Sequence, residues 1–162
     1  MTPEQLAILK AYILADSVLS TKISGEGTDF SCVADTMNAI RPTFFVWRKS
    51  VSPQELRAAA MIGAAQLDGL TQSKRDSLLW VIGEAIDFTV ATNRTAIDDL
   101  CGSQQVLKAA LQAVQREPCT LAQSLLATGT GTIASPAILT FAGVVSVSEI
   151  NSMFAAPRAM VQ

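Results

Sequence analysis

Three short stretches of this sequence have the pattern of a helix N-terminus, and they restrict the fold more than any other feature. In residues 2–5, 52–55 and 146–149, Ser or Thr is followed three residues later by Gln or Glu. This is the capping box, whose two side chains bind backbone N–H groups that the first helical turn leaves unpaired. Pro3 and Pro53 stand at the first helical position, where proline is favoured. The sequence therefore predicts a mainly α-helical chain.

Apolar residues at helical spacing extend these starts into an Ala-rich bundle of about six helices. Alanines and Gly63 in the helix after Ser52 favour close contact between helices. Further helices are predicted to begin at Asp29, Thr71 and Thr92 and to cover residues 103–116 and 119–127.

Two segments have β character. Residues 43–51, TFFVWRKSV, are aromatic and β-branched, and they either form an extended segment or begin a short helix. Residues 138–147, ILTFAGVVSV, predict a strand or short hairpin near the C-terminus, with Ala142 and Gly143 as the turn. A short terminal helix is expected to follow from Ser146.

The chain contains few charges for a soluble domain. Charged residues make up 16% and apolar residues 49% of the sequence, whereas about 25% of residues are charged in typical soluble domains. No charged residue stands between Glu117 and Glu149. Burial against other protein chains explains such a surface, and a monomer whose alanines inflate the apolar fraction is the alternative. The net charge of −2 gives no basic footprint for nucleic acid, although local arginines could line a passage for DNA.

Cysteine usage and hydropathy indicate a reducing compartment and no membrane span. Cys32, Cys101 and Cys119 are odd in number and widely spaced, which favours buried thiols. The N-terminal residues lack the basic and apolar segments of a signal peptide. The most apolar run, LLWVIGEAI, is interrupted by Glu84 and is shorter than the roughly 20 residues that a span needs.

The sequence contains no histidine, and this absence excludes the commonest catalytic groups. Ser-His-Asp and Cys-His catalysis, imidazole-ligated zinc and a histidine general base are all removed. Glu84 and Asp87, at i and i+3, are expected to share a helix face and could act as an acid/base or metal pair. The alternative is the solvated side of an amphipathic helix, and no third metal ligand is in view. We therefore predict a non-enzymatic chain without a metal or cofactor.

The stretch Gly129-Thr130-Gly131 resembles a phosphate-binding loop only in its glycines. A P-loop has the pattern GxxxxGK[ST], and no lysine follows these glycines. A dinucleotide fingerprint needs a third glycine where this chain has Ala134, and both motifs follow a strand rather than a helix. We interpret Gly129 as a helix stop and the residues after it as a flexible, uncharged segment. The chain is then one domain with two parts, a helical part, 1–128, and a C-terminal arm, 129–162.

The most concentrated binding-type side chains lie in the segment FFVWRKS. Large aromatic residues and arginine dominate the hot spots of protein interfaces. The alternative is a core anchor with Phe44, Val46 and Trp47 buried and Arg48 and Lys49 exposed, and the sequence leaves both open for Trp47. The predicted interaction residues combine this segment with the arm: Phe45, Trp47, Arg48, Gly129, Gly131, Leu139, Phe141 and Val145.

Three blocks of the sequence carry a resemblance to a known family. They are FFVWRKSVSPQEL (44–56), ATNRTAIDDL (91–100) and LLATGTGTIASPAILTFAGVVSVSEI (125–150), and MTPEQLAILKAYILAD opens the chain. Together they resemble a small protein family encoded in the virion-structure gene clusters of tailed bacteriophages, and the last block is the most specific. The chain departs from the family in its more hydrophobic segment LLWVIGEAIDFTVAT, and LTFAG lacks an acidic residue that often precedes the glycine.

The resemblance implies a non-enzymatic virion component, a head–tail connector, neck or tail subunit packed as copies in a ring. The implied partners are copies of the chain and other phage structural proteins, such as portal, connector or tail proteins. The implied location is the virion, after synthesis in the cytoplasm of the bacterial host, and DNA could pass the ring without base-specific contact. Ring subunits make heterologous contacts, and a strand at 138–147 could pair with a neighbour's sheet. The alternatives are a tail-assembly factor that the virion does not retain and a small enzyme that uses Glu84 and Asp87.

Overall fold

Helices make up most of the secondary structure in the computed structural model, which describes residues 1–25 and 27–155. The mainly helical prediction is confirmed, and a two-stranded antiparallel sheet accompanies the helices. The longest described helix has 13 residues, and none in this part of the chain has the length and apolar character to cross a bilayer. The elements are α1 (Pro3–Ala15), a 3₁₀ helix (Leu19–Lys22), α2 (Phe30–Asn38), β1 (Ile40–Trp47), α3 (Pro53–Ile62), α4 (Ala64–Leu67), α5 (Gln72–Val81), α6 (Ala91–Cys101), α7 (Gln105–Val114), β2 (Arg116–Thr120), α8 (Leu121–Leu126) and α9 (Val147–Phe154).

Side chains cap the helices where the capping boxes predict. Thr2, Ser52 and Ser146 each accept a hydrogen bond from the backbone N–H three residues on, and the Gln or Glu at that position binds back to the cap. Caps of this kind each stabilise a helix by about 1 kcal/mol. One predicted cap is wrong, because α6 begins before Thr92, at a position without a side-chain cap. Thr120 forms a further capping box, which was not predicted, at the start of α8.

The sheet carries both connections between two groups of helices. β1 leads from α2 to α3, so residues 43–51 take the extended alternative, and β2 leads from α7 to α8. The strands pair antiparallel, from Ile40 opposite Thr120 to Trp47 opposite Arg116. A middle group, α3 to α7, is thus inserted into a terminal group made of α1, α2, α8 and α9.

Each helix group has its own hydrophobic cluster, and the sheet spans the division between them. A small sheet cluster consists of Val46, Cys119 and Ala137. The middle cluster consists of Val51, Leu56, Ala59, Ala60, Leu70, Leu78, Ile82, Ile86, Phe88, Ile97, Cys101, Leu107 and Leu111. The terminal cluster consists of Leu9, Ile13, Leu19, Val33, Ala34, Met37, Ala122, Leu126, Val145, Ile150 and Met153.

Close contact between α3 and α7 holds the middle group together, as the small residues of α3 predict. Ala59 and Ala60 are buried. A Cβ atom on Gly63 would lie 2.5 Å from Cα and 2.7 Å from Cβ of Leu107 on α7. Only glycine leaves room for this approach, so the predicted role of Gly63 in helix contact is confirmed.

The predicted C-terminal strand or hairpin is wrong. Within residues 138–147, only Ile138 makes an isolated bridge, to Thr128. The sheet instead uses β1 and β2, and β2 contains Pro118. A proline argues against a central strand, but β2 pairs only with β1, so the proline nitrogen, which carries no N–H, can lie on the unpaired edge of β2. Apolar residues of 138–147 are used in packing, since Val145 belongs to the terminal cluster.

The last helix of the predicted arm, α9, packs on the N-terminal helices. α9 contacts α2 and α1, and its residues Ile150 and Met153 belong to the terminal cluster. The buried residues therefore form one cluster for each helix group. The sequence instead predicted a boundary between a helical part and an arm after residue 128. Residues 156–162 of the predicted arm lie outside the described residues.

Candidate interaction surfaces

Arg48 lies just after β1 and links three elements. Its Nη1 lies 2.8 Å from Oε1 of Glu55 on α3, and its Nε lies 3.4 Å from Oε2 of Glu117 on β2. Nη1 also donates to the backbone carbonyl of Val114 at the end of α7, at 3.3 Å. The hydrogen bond from Arg48, with further hydrogen bonds from Ser52, lowers the pKa of Glu55 to about 2. The Arg48 side chain is only 21% exposed, which differs from the exposed position that the core-anchor alternative expects.

Trp47 packs against the middle cluster, as the core-anchor alternative expects. Its ring is half-buried, and the guanidinium of Arg94 from α6 lies over it, 4.3 Å from the ring centroid. Arg94 also donates to the backbone carbonyls of Phe88 and Thr89, which holds the cation over the ring. An additional interface contact by Trp47 stays a prediction.

Phe45 and Gly131 meet through their backbones. The Phe45 N–H donates to the Gly131 carbonyl at 2.7 Å, and the Ala137 N–H donates to the Phe45 carbonyl at 2.9 Å. Gly131 has a φ of +67°, and a Cβ atom there would clash with the Phe44 ring. The positive φ and the space taken by the Phe44 ring both favour glycine at this position. The backbone hydrogen bonds of Phe45 hold the loop after α8 against the edge of β1.

Gly129 is not the predicted helix stop. α8 ends at Leu126, and Ala127 is already extended. Thr128 and Ile138 then exchange backbone hydrogen bonds of 2.9 and 2.8 Å, which draw the chain out of the helix before the glycine is reached. Gly129, with a φ of +125°, forms the turn that follows.

The predicted interaction residues of the arm make contacts within the chain. Leu139 packs against the sheet cluster and Phe141 against the terminal cluster, and both are half-buried. Val145 is 1% exposed. The side-chain amide of Asn38 donates to the Val145 carbonyl at 2.8 Å and accepts from its N–H at 2.9 Å. Val145 can therefore contact a partner only if this clamp opens.

Helix α1 exposes an apolar face. Leu9 and Ile13 point into the terminal cluster, whereas Ile8 and Leu14 are about half exposed, at 48% and 54%. Apolar residues thus occur on the exposed side of α1 as well as on its buried side, although Glu4 and Lys10 are also exposed, and exposed apolar residues on a helix favour contact with another surface. We define the α1 surface by its exposed residues Ile8, Ala11, Leu14 and Ala15.

A second apolar surface lies at the end of α5. Trp80 is 73% exposed and Leu79 is also exposed. Beside Trp80 is a cavity of about 420 Å³ between the end of α5 and α6. We define the Trp80 surface by Leu79, Trp80 and the apolar lining of this cavity, Val81, Ala85, Ile86 and Ala96.

The predicted carboxylate pair lies at the edge of the same cavity, but the helix that was to present it is absent. α5 ends at Val81, so Glu84 and Asp87 lie in the following loop. Asp87 accepts hydrogen bonds from the hydroxyl and, at 2.8 Å, the N–H of Thr89, and these bonds lower its pKa. No group of three or more His, Cys, Asp or Glu side chains in the described ranges could hold a metal ion.

Both exposed surfaces correspond to a feature of the sequence, apolar residues outside the buried stripe of a helix, which the predicted interaction residues do not include. Trp80 falls outside the buried stripe of Leu78 and Ile82, and apolar residues occur on every side of α1. An apolar residue off the buried stripe of a helix is a candidate for contact with another chain.

No protein-family model, curated protein or solved structure matches this chain.

Proposed function

We propose that this chain is a structural subunit of a tailed-bacteriophage virion, a head–tail connector, neck or tail component that assembles as a ring. The observation that carries the proposal is the exposure of two apolar surfaces on different helix groups. The α1 surface belongs to the terminal group and the Trp80 surface to the middle group. Burial of apolar area is the main driving force of protein association, so these surfaces favour contact with other chains.

Contact between these two surfaces is heterologous. The α1 surface is a helix face on which Ile8 and Leu14 alternate with alanines, so another chain can approach it closely. The Trp80 surface contains a cavity of about 420 Å³ that can receive such side chains. Heterologous contacts repeated from copy to copy produce a closed ring when a whole number of the rotations between successive copies adds up to one full turn. Ring assembly is the arrangement expected of a connector, neck or tail subunit.

Composition and the family resemblance support the same function. Only 16% of the residues are charged, and the segment between Glu117 and Glu149 has none, which suits a subunit that buries much of its surface in neighbours. The blocks at 44–56, 91–100 and 125–150 supply the virion context. Other phage structural proteins, such as portal, connector or tail proteins, would then contact the remaining faces of the ring.

Two charge substitutions test the assembly. Leu14→Lys and Trp80→Lys each place a charge on one surface, at side chains exposed enough for the fold to tolerate the change. We expect each variant to lose self-association in sedimentation velocity, whereas the matched control Gln72→Lys, at an exposed position of α5, keeps it. Because each variant retains one intact surface, an equimolar mixture of the two should form a heterodimer and nothing larger.

Two results would contradict the proposal. A wild-type chain that sediments as a monomer at every concentration would contradict ring assembly, and a mixture that forms no heterodimer would contradict the pairing of the two surfaces. Mass spectrometry of purified virions tests the location, because a structural subunit must be present in mature particles. A chain found in infected cells but missing from virions would instead be a tail-assembly factor.

A further inference from the structure

A polar cavity of about 440 Å³ lies between α6, α7 and the start of β2. It is separate from the α1 and Trp80 surfaces, and none of its lining residues belongs to either. Its lining is rich in hydrogen-bond donors, and the residues that matter here are Trp47, Arg94, Asp98, Lys108, Gln115 and Arg116.

Gln115 is the first sign that a ligand belongs in this cavity. The residue is 2% exposed, and its side-chain Nε2 has no hydrogen-bond partner. It is the one buried side-chain nitrogen or oxygen without a partner in the part of the chain that the structure describes. A buried amide that is left unpaired costs about 1–3 kcal/mol. Because Nε2 itself is buried, the side chain must rotate to present it to an acceptor in the cavity, and such a rotation would relieve this cost.

Two arginines of the lining supply further unused donors. Nη1 of Arg94 donates to the carbonyls of Phe88 and Thr89, and Nη1 of Arg116 donates to the carbonyl of Ile133. Within residues 1–25 and 27–155, neither arginine has a carboxylate within 4.0 Å. Each guanidinium has five N–H groups, so donors remain on both.

The remaining charges of the cavity limit the charge of the ligand. Lys108 lies 3.2 Å from Asp98, and Asp98 also accepts two hydrogen bonds from Gln112. Asp99 adds a second carboxylate to the lining. The cavity lining thus has three cations and two carboxylates, which gives it a small net positive charge. This charge favours a ligand with one negative charge over a phosphate dianion.

We propose that this cavity binds a carboxylate group. The two carboxylate oxygens accept hydrogen bonds from the unused N–H groups of Arg94 and Arg116, for which guanidinium is well suited. Rotation of the Gln115 amide toward the ligand would let Nε2 donate as well. The carboxylate belongs either to a small organic acid or to an acidic side chain of another protein segment. The site does not depend on the assembly surfaces, so failure of this proposal and failure of ring assembly are distinguishable.

Nuclear magnetic resonance titration of the full chain tests the site with two probes, each with a neutral partner. The probes are propionate, with propionamide as its control, and the peptide acetyl-Gly-Glu-Gly-amide, with its Gln analogue as control. We expect the acid forms to shift the side-chain amide signals of Gln115 and the indole N–H of Trp47, and the amide forms to leave them unchanged. Binding of propionate identifies a site for small acids, and binding of the peptide alone identifies a site for a protein segment.

Three variants separate binding from structure. Arg116→Gln should weaken binding about tenfold, the typical worth of one charged hydrogen bond, whereas Arg57→Gln removes the same charge outside the cavity and should have no effect. Gln115→Leu should weaken binding to a similar degree without loss of thermal stability, because it removes the unpaired donor. The proposal is overturned if neither acid binds, if amides bind equally well, or if Arg116→Gln and Arg57→Gln bind alike.

Discussion

Gly63→Ala tests the closeness of α3 and α7, on which the packing of the middle group depends. Gly63 caps the end of α3, and its φ of −98° is open to any residue, so the substitution introduces no backbone strain. The added methyl group would lie 2.5 Å from Cα, 2.7 Å from Cβ and 2.9 Å from N of Leu107. Two of these three atoms belong to the backbone of α7, and a change of side-chain rotamer cannot relieve the contact.

The size of the effect follows from these distances. Carbon atoms in contact normally lie about 3.5–4.0 Å apart, so the helices must separate by about 1 Å. Overpacking of this kind costs about 1–3 kcal/mol, and the smaller conformational freedom of alanine in the unfolded chain returns about 0.4–1 kcal/mol. The difference spans about 0–2.6 kcal/mol, so we expect a net loss centred near roughly 1.3 kcal/mol, or about 3–5 °C in Tm for a chain of this length.

Urea unfolding followed by circular dichroism measures this loss, and Gly27→Ala is the matched control. A Cβ atom on Gly27 meets no atom of the described residues within 4 Å, and its φ lies outside the left-handed region. The control should be as stable as the wild type or slightly more stable. If Gly63→Ala matched the control, the inferred proximity of α3 and α7 would be wrong.

Three further predictions concern single side chains. The Glu55 carboxyl should titrate in carbon NMR with a midpoint of about 2, because Arg48 holds its pKa low, and a midpoint near 4.5 would contradict this. The stability that this carboxylate contributes is therefore present above its ordinary pKa of 4.5 and is lost as pH falls towards 2. In a variant whose only cysteine is Cys101, thiolate absorbance should appear near pH 11, because burial raises the pKa of this thiol. The stability of the folded chain should fall as pH rises from 9 to 11, since the thiol ionises first in the unfolded chain. Asn38→Ala should cost about 1–3 kcal/mol in urea unfolding through the lost hydrogen bonds to Val145, and unchanged stability would show that the clamp is weak.

Local signals in the sequence predicted the helices well because their physics is local. A capping box needs only residues three apart, and the boxes at Thr2, Ser52 and Ser146 all formed. Gly102, which directly follows α6, ends that helix with a φ of +58°. Such interactions need no knowledge of the rest of the chain.

Strand pairing could not be predicted in the same way, because it depends on residues far apart in sequence. β1 pairs with residues 116–120, and nothing within REPCT identifies that segment as a strand. Residues 138–147 have stronger β propensity, but burial of Val145 against the terminal helices decides their conformation. β propensity describes a fit to half-buried surroundings and yields to tertiary packing.

The predicted interaction residues were selected by side-chain type, and side-chain type does not reveal whether a partner lies within the same chain. Trp47 and Arg48 have the chemistry of an interface hot spot, but the structure covers the first with Arg94 and pairs the second with Glu55. Trp80 has the same chemistry and is left exposed. Distinguishing these residues requires the tertiary structure, because the deciding contacts lie 7 to 47 residues away in sequence.

Under the proposed ring assembly, the residues at the junction between the helix groups would act without direct contact with a neighbour. If copies join through the α1 and Trp80 surfaces, the angle between successive copies depends on how the terminal and middle groups are oriented. That orientation is fixed by the sheet, by the ion pairs of Arg48 and by the backbone pairing of Phe45 with Gly131. Substitutions at the junction should therefore change ring size or closure, whereas substitutions on the two surfaces should change affinity.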